Sequence, residues 1–271
     1  MGEGVSEKGA GVNERCFAVT APGLEPLAAK ELRNIGISLE GQKPVTGLHL
    51  AEKRTTGGAA AESDRSGGVS FTGSLEDIYR ANLHLRTASR VLVRLGDFYA
   101  AGFPELRKKA GRLAWERFLA PGQPVSLHVT CHKSKLYHSG AVAERVLAAI
   151  ADRLGKPAPA VKASPTGEEG EGTAVQMIVV RLIHDHCTIS VDSSGELLHR
   201  RGYRQATAKA PLRETLAAAM LLASGWDGAS PLVDPFCGSG TIAIEAAMLA
   251  LGIPPGWRRS FAFMNWPRYS P

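Results

Sequence analysis

The sequence predicts two architectures in series: α+β over the first 200 residues, then the start of an α/β unit. Residues 15–97 alternate short strands and amphipathic helices, residues 98–200 mix both element types again, and residues 201–271 contain one strand–glycine loop–helix unit. The chain has 271 residues and is 44% hydrophobic, which is enough apolar material for real cores. A wholly disordered protein is therefore excluded.

The first segment has the element order of a ferredoxin-like sandwich. Residues 1–14 are rich in glycine and glutamate, and we expect a disordered tail there. Ser74, with Asp77 three residues later, predicts a capped helix start. A long exposed loop is expected at 51–68. The expected elements are strands at Cys16–Thr20, Val45–Leu50, Val69–Phe71 and Ala88–Leu95, and helices at Leu24–Ile35 and Leu75–Leu85.

The second segment, residues 98–200, is again α+β. Apolar and polar residues alternate along Val125–Cys131, as in a half-buried strand, and a linker rich in Pro, Gly and Glu covers 156–172. The expected elements are helices at Phe103–Trp115 and Ser139–Leu154 and strands at Val125–Cys131, Val175–Ile183 and Cys187–Val191.

The third segment, residues 201–271, predicts the beginning of a Rossmann-like α/β domain. A helix is expected at Pro211–Ala223, with proline near its first turn and Gly225 past its end. A short buried strand at Leu232–Asp234, a glycine loop at Pro235–Gly240 and a helix at Thr241–Ala250 follow.

Several classes of protein are disfavoured by composition. No apolar run approaches the ~20 residues that span a bilayer, so an integral membrane protein is not expected. The first residues lack the apolar stretch of a signal peptide, which favours a cytoplasmic location. The four cysteines are scattered without a CxxC pair, which argues against a disulfide framework and a zinc knuckle.

The formal net charge of +6 lies almost entirely in the middle of the chain. Residues 98–204 contain 15 basic and 10 acidic residues, whereas residues 1–97 contain 12 of each. A localised basic surface suits a polyanion such as nucleic acid. An excess of this size is equally typical of an ordinary solvated surface.

The most specific motif is Asp-Pro-Phe-Cys-Gly-Ser-Gly-Thr at 234–241. Glycines between a strand and a helix let the backbone approach a ligand closely, and the helix N-terminus offers free N–H groups to an anionic or polar group. The motif is neither a Walker A loop, because no Gly-Lys-Ser/Thr follows, nor a complete GxGxxG fingerprint.

This octet resembles motif I of class I S-adenosylmethionine-dependent methyltransferases that modify exocyclic amino groups. Leu197–Arg204 resembles the junction that joins such a catalytic domain to a THUMP domain, and Lys209–Ala218 resembles the helix before motif I. Thr20–Glu25 and Tyr79–Arg90 are similar to the N-terminal ferredoxin-like region of the same enzymes. The family resembled is that of THUMP-containing RNA guanine-N2 methyltransferases of the large-subunit ribosomal RNA type.

The resemblance implies a fold, a cofactor and a set of contacts. Residues 98–200 would be a THUMP RNA-binding domain and residues 201–271 an incomplete methyltransferase domain. The cofactor would be S-adenosylmethionine, the partner an RNA, and no metal is implied. The implied cofactor-binding residues are Pro211, Glu214, Asp234, Pro235, Phe236, Cys237, Gly238, Ser239, Gly240 and Thr241. For Asp234 the structural alternative is a carboxylate that caps the next helix, and Cys237 is a small loop residue rather than a covalent nucleophile.

Two clusters combine cations with an aromatic ring, as RNA-binding loops do. The candidate RNA contacts are Lys133, Lys135, Tyr137, Arg200, Arg201, Tyr203 and Arg204. For any one of them a solvated loop residue is an equally good interpretation. His184 and His186 bracket Asp185, but no further metal ligands are evident. The basic run Arg107–Lys109 is interpreted first as an exposed helix face and second as an RNA contact.

In the family, an acidic residue after the second strand holds the ribose of the cofactor, and an Asn-Pro-Pro-Tyr motif places the target amine. Neither is found after Thr241. Asn265–Tyr269 lies too close to motif I and lacks paired prolines. We therefore expect a domain cut off after its first unit, with poor packing of residues 205–271 by themselves and little methyl transfer. The alternatives are a non-catalytic RNA-binding module and a DNA amino-methyltransferase.

Overall fold

A computed structural model describes residues 13–39, 67–161, 174–204 and 212–270. The elements in chain order are β1 (Glu14–Thr20), α1 (Glu25–Asn34), β2 (Gly68–Gly73), α2 (Leu75–His84), β3 (Ala88–Tyr99), α3 (Phe103–Ala110), β4 (Val125–His132), α4 (Ser139–Leu154), β5 (Gln176–Ile183), β6 (His186–Asp192), α5 (Glu214–Ser224) and α6 (Thr241–Ala250). The expected strand at 45–50 lies outside the described residues, as do most of the loop at 51–68 and most of the linker at 156–172.

One six-stranded sheet, in the order β2-β1-β3-β6-β5-β4, joins the first two segments of the chain. Neighbouring strands are antiparallel except β4 and β5, which are parallel and are connected through α4. The long strand β3 makes this possible: its Val93 lies opposite Cys16 of β1, and its Tyr99 lies opposite His186 of β6. The expected domain boundary at residue 97 therefore falls inside β3, and the sheet continues across it.

The capped start of α2 follows the sequence prediction. The Ser74 hydroxyl accepts a hydrogen bond from the Asp77 N–H at 3.3 Å, and the Asp77 carboxylate accepts one from the Ser74 N–H at 2.8 Å. This reciprocal pair satisfies two of the N–H groups that a helix start leaves unpaired.

The helix expected at Phe103–Trp115 is shorter than predicted and ends at Ala110. Gly111 follows, and the chain then turns so that Trp115 is fully buried. The indole Nε1 of Trp115 donates to the Ala110 carbonyl at 2.8 Å, which satisfies its polar atom within the core.

The disordered tail was expected to extend to residue 14, but β1 already begins at Glu14. The Glu14 side chain is 7% exposed and forms ion pairs with Arg117 and Arg268. A carboxylate that is buried and doubly paired belongs to the folded body of the protein.

The buried strand expected at Leu232–Asp234 is not formed. Leu232 is 40% exposed and Val233 is 83% exposed. A strand is stable only when its backbone groups pair with a neighbour, and no described residue pairs with 232–234.

The chain after α6 packs against the hydrophobic core of the N-terminal part of the protein rather than against the other elements of the third segment. Phe261, Phe263 and Trp266 are each at most 5% exposed and join the core formed by β1, β2, α1 and α2. The Trp266 indole packs edge-to-face on Phe118, with ring centroids 4.9 Å apart, and its Nε1 donates to Gln176 Oε1 at 2.8 Å.

Replacing Trp266 with alanine is expected to lower the free energy of unfolding by about 3 to 5 kcal/mol, because a buried indole is removed and a cavity remains. Urea denaturation followed by circular dichroism measures this change. The matched control is Trp257→Ala: Trp257 is 56% exposed, and its truncation is expected to have a small effect. Equal losses for the two variants would contradict the observed docking of the tail.

Candidate functional site

The glycine-rich segment at 234–241 is a surface loop that ends in the first turn of α6. Gly238 and Gly240 have positive φ angles of 52° and 72°, a region that glycine adopts without steric cost. The Gly240 N–H donates to the Cys237 carbonyl at 2.7 Å, which closes a tight turn. Phe236 is 92% exposed and Cys237 is exposed, so the loop presents its face to solvent.

Asp234 fixes the start of the loop and keeps one oxygen free. Its Oδ1 accepts from the Phe236 N–H at 3.1 Å, whereas its Oδ2 is buried and has no hydrogen-bond partner among the described residues. A buried carboxylate oxygen without a partner is costly, so a donor from a ligand would be favourable there. The helix N-terminus at Thr241 adds free backbone N–H groups, since Gly240 supplies no side-chain cap.

Arg204 contacts both elements that were expected to line the cofactor site, the start of α5 and the start of α6. Its Nε donates to Glu214 Oε1 at 2.9 Å at the start of α5, and its Nη2 approaches Thr241 Oγ1 at 3.4 Å at the start of α6. Glu214 is 4% exposed. The structure thus places Glu214 beside the expected motif, and Pro211 lies outside the described residues.

A buried charge network lies one turn further along α6. Glu245 is 1% exposed; its Oε1 accepts from Arg201 Nε at 3.4 Å and from the Tyr203 hydroxyl at 3.1 Å. Its Oε2 is 4.0 Å from Arg86 Nη1. Burial raises the pKa of Tyr203, and the neighbouring Glu245 carboxylate raises it further. The Tyr203 hydroxyl therefore remains protonated and acts as a donor.

This network corrects part of the expected RNA surface. Arg201 is 2% exposed and donates to the Leu198 and Arg86 carbonyls, both at 2.6 Å, so a direct RNA contact by Arg201 is wrong for this structure. The Tyr203 hydroxyl and the Nε and Nη2 atoms of Arg204 likewise form hydrogen bonds within the fold. Sequence reasoning missed Glu245 and Arg86; the available signal was a single carboxylate within the apolar helix α6.

The other expected RNA cluster is exposed. Lys133, Lys135 and Tyr137 lie on the loop between β4 and α4, and Tyr137 is 69% exposed. Asp185 holds this loop: its Oδ1 accepts from the Lys135 N–H at 2.6 Å, and its N–H donates to Ser134 Oγ at 3.0 Å. Lys133 and Asp185 have positive φ angles of 47° and 63°, so the two loops keep an uncommon backbone shape.

The sequence raised three further questions: a metal site, the state of the cysteines and a membrane-spanning helix. Among the described residues, no three His, Cys, Asp or Glu side chains converge on a point that could hold a metal ion. His186 instead pairs with Asp97. The four cysteines, all among the described residues, form no disulfide, and burial raises the pKa of Cys187 to about 12. No helix within the described ranges is both long and apolar enough to cross a bilayer.

Two family models match the chain. Residues 201–268 match the model described as RMKL-like, methyltransferase domain, and residues 51–92 match the RlmL ferredoxin-like domain. The expected ferredoxin-like start is thereby confirmed.

Curated relatives align with most of the chain. A protein of Synechocystis, named provisionally as an RNA methyltransferase, is 34% identical over 93% of this chain and 59% of its own length. The ribosomal RNA large subunit methyltransferase K/L of Syntrophotalea carbinolica is 36% identical over 92% of this chain and 32% of its own length. The chain thus spans between a third and three fifths of these two relatives.

Solved structures share the fold at similar identity. A methyltransferase, assigned provisionally and complexed with SAH, is 32% identical with a TM-score of 0.76, covering 95% of this chain and 61% of that one. A Listeria monocytogenes protein described as a predicted N6-adenine-specific DNA methylase has the same identity and TM-score, covering 94% and 60%. The described fold is therefore similar to about three fifths of each of these two chains.

Replacing Glu245 with alanine is expected to lower the free energy of unfolding by about 3 kcal/mol or more, because Arg86 and Arg201 stay buried without their carboxylate. Urea denaturation measures it. In the control Glu196→Ala, the lost partner is Arg200 in a largely exposed pair, and a change of about 1 kcal/mol or less is expected. If both variants unfold at the same urea concentration, the network does not hold the structure.

Proposed function

We propose that this chain serves the transfer of a methyl group from S-adenosylmethionine to the N2 amine of a guanine in ribosomal RNA, as the part that holds RNA and the first cofactor loop. The loop at 234–241 carries the proposal: an exposed glycine turn that leads into a helix N-terminus, inside the region that matches a methyltransferase family. The relatives' names support RNA as the substrate class.

The loop fits the proposed cofactor chemically. Asp234 Oδ2 is a buried acceptor without a partner, suited to a hydroxyl or ammonium donor. The N–H groups before and within the first turn of α6 suit the carboxylate of an amino acid moiety. Gly240 has open space where a side chain would stand, so the backbone itself can contact a ligand. S-adenosylmethionine supplies an electrophilic methyl group on a sulfonium.

The RNA contacts that we propose are Lys133, Lys135 and Tyr137, with Arg200 as a further candidate. The two lysines and Tyr137 are exposed on a loop whose backbone is fixed by Asp185, so cations and an aromatic face are displayed together. We also propose that residues 98–200 form a THUMP RNA-binding domain. The parallel β4–β5 pair and the two helices α3 and α4 form its body.

A DNA amino-methyltransferase is the second candidate, because one solved neighbour is described as an adenine-specific DNA methylase. The same loop would serve either acceptor, since both reactions transfer a methyl group to an exocyclic amine. The ferredoxin-like match and the names of the curated relatives favour RNA.

S-adenosylmethionine is expected to protect Cys237 from alkylation, because this exposed thiol lies within the proposed cofactor loop. At ligand ten times its Kd, the rate of iodoacetamide labelling should fall roughly tenfold. Peptide mass spectrometry measures labelling at Cys237, with Cys131 as the internal reference thiol. An unchanged rate with saturating S-adenosylmethionine, or equal protection by ATP, would overturn the cofactor assignment.

The double variant Lys133→Glu/Lys135→Glu is expected to bind single-stranded RNA more weakly and with a salt slope lower by about 1.4, since each lost phosphate contact removes about 0.7. Filter binding at several salt concentrations measures both quantities. Lys30→Glu, at an exposed lysine on α1, is the control for charge reversal at a distant surface site. Wild-type protein that prefers duplex DNA to RNA would instead support the second candidate.

A further inference from the structure

A second basic feature of the molecule is a cavity between α3 and α4, with a volume of about 750 Å³. It lies outside the glycine loop and outside the loop at 133–138. Four cationic side chains line it, together with one carboxylate and one aromatic ring: Arg107, Lys108, Arg112, Arg145, Asp152 and Phe103.

Most of this positive charge is not neutralised by the described residues. Arg107 is held by Asp152 through two hydrogen bonds of 2.8 and 2.9 Å. By contrast, the side chains of Lys108 and Arg112 make no hydrogen bond or ion pair with any described residue. The Arg145 guanidinium lies over the Phe103 ring, 5.9 Å from its centroid, and has no ion pair with a described residue. A concave site with three unpaired cations concentrates positive potential and favours an anionic ligand.

The cavity is connected to the exposed loop that carries Lys135. The Asp185 carboxylate accepts from the Lys135 N–H, while the Asp185 carbonyl accepts from the Ala100 N–H at 2.8 Å, just before α3. On the other side, the loop runs directly into α4 at Ser139. Phe103 is the first residue of α3 and Arg145 lies in the second turn of α4, so the cavity begins at the helix ends that the loop reaches.

We propose that this cavity binds successive phosphodiester groups of a single-stranded segment of the RNA substrate, continuing the path that starts at Lys133 and Lys135. The inference rests on the proposed function for the identity of its ligand. Lys108, Arg112 and Arg145 pair with backbone oxygens, and the Phe103 ring offers an apolar surface for a sugar or a base.

The test measures the affinity of the full chain for a fluorescent single-stranded RNA by anisotropy at several salt concentrations. The variant Lys108→Glu/Arg112→Glu is expected to bind roughly tenfold more weakly, with a salt slope lower by about 1.4. Asp152→Asn releases Arg107 and is expected to tighten binding severalfold, a gain that misfolding cannot produce. Lys30→Glu again serves as the charge control.

Two results separate failure of this inference from failure of the proposed function. If wild type binds RNA and Lys133→Glu/Lys135→Glu weakens it, but the cavity variants match Lys30→Glu, the cavity assignment is overturned and the proposed function stands. If wild type binds no RNA, both fall.

Calorimetry with inorganic phosphate and with an acidic peptide distinguishes other anions. Binding of either one that depends on Lys108 and Arg112, with RNA affinity unchanged, assigns the cavity to that ligand and overturns the proposal. Weak phosphate binding together with a loss of RNA affinity in the same variants supports it.

Discussion

The position of the glycine loop depends on one buried carboxylate, that of Glu245. Two guanidinium groups, Arg86 and Arg201, are buried beside it, and burying such a charge without a partner is costly. Burial lowers the pKa of Arg86, and the nearby Glu245 charge opposes that change. Helix α6 therefore has to lie where its single carboxylate meets both arginines.

The hydrogen bonds around this carboxylate connect distant parts of the sequence. Arg86 follows α2 and donates to the Ile253 carbonyl at 2.6 Å, beyond α6, while Arg201 donates back to the Arg86 carbonyl. On the opposite side, Arg259 donates to the carbonyls of Leu197 and Glu196 at 2.8 and 2.6 Å. The C-terminal end of α6 and the segment after it are thus held against Arg86 and residues 196–201. The loop at 234–241, before α6, stays exposed.

Sequence patterns predicted the elements that depend on local interactions. Apolar spacing placed α4 at Ser139–Leu154, and the Ser74–Asp77 pair marked the start of α2, because caps and helical faces are set by residues a few positions apart. The packing of Trp266 against Phe118 joins residues 148 positions apart, and no local pattern encodes it. The exposed segment 232–234 had the composition of a buried strand, but composition cannot supply the neighbouring strand.

The same distinction applies to the basic residues. Arg201, Tyr203 and Arg204 have the cation–aromatic composition of an RNA loop, and so do Lys133, Lys135 and Tyr137. In the first group the charges meet Glu245 and Glu214 inside the fold, whereas in the second the backbone is pinned by Asp185 and the side chains face solvent. The basic excess of residues 98–204 therefore overstates the positive charge that is available around Arg201 and Arg204. It does not show that the charge around Lys133 and Lys135 is exposed. What a cation in this protein can bind is decided by whether a carboxylate already holds it, and that depends on contacts between residues far apart in the chain.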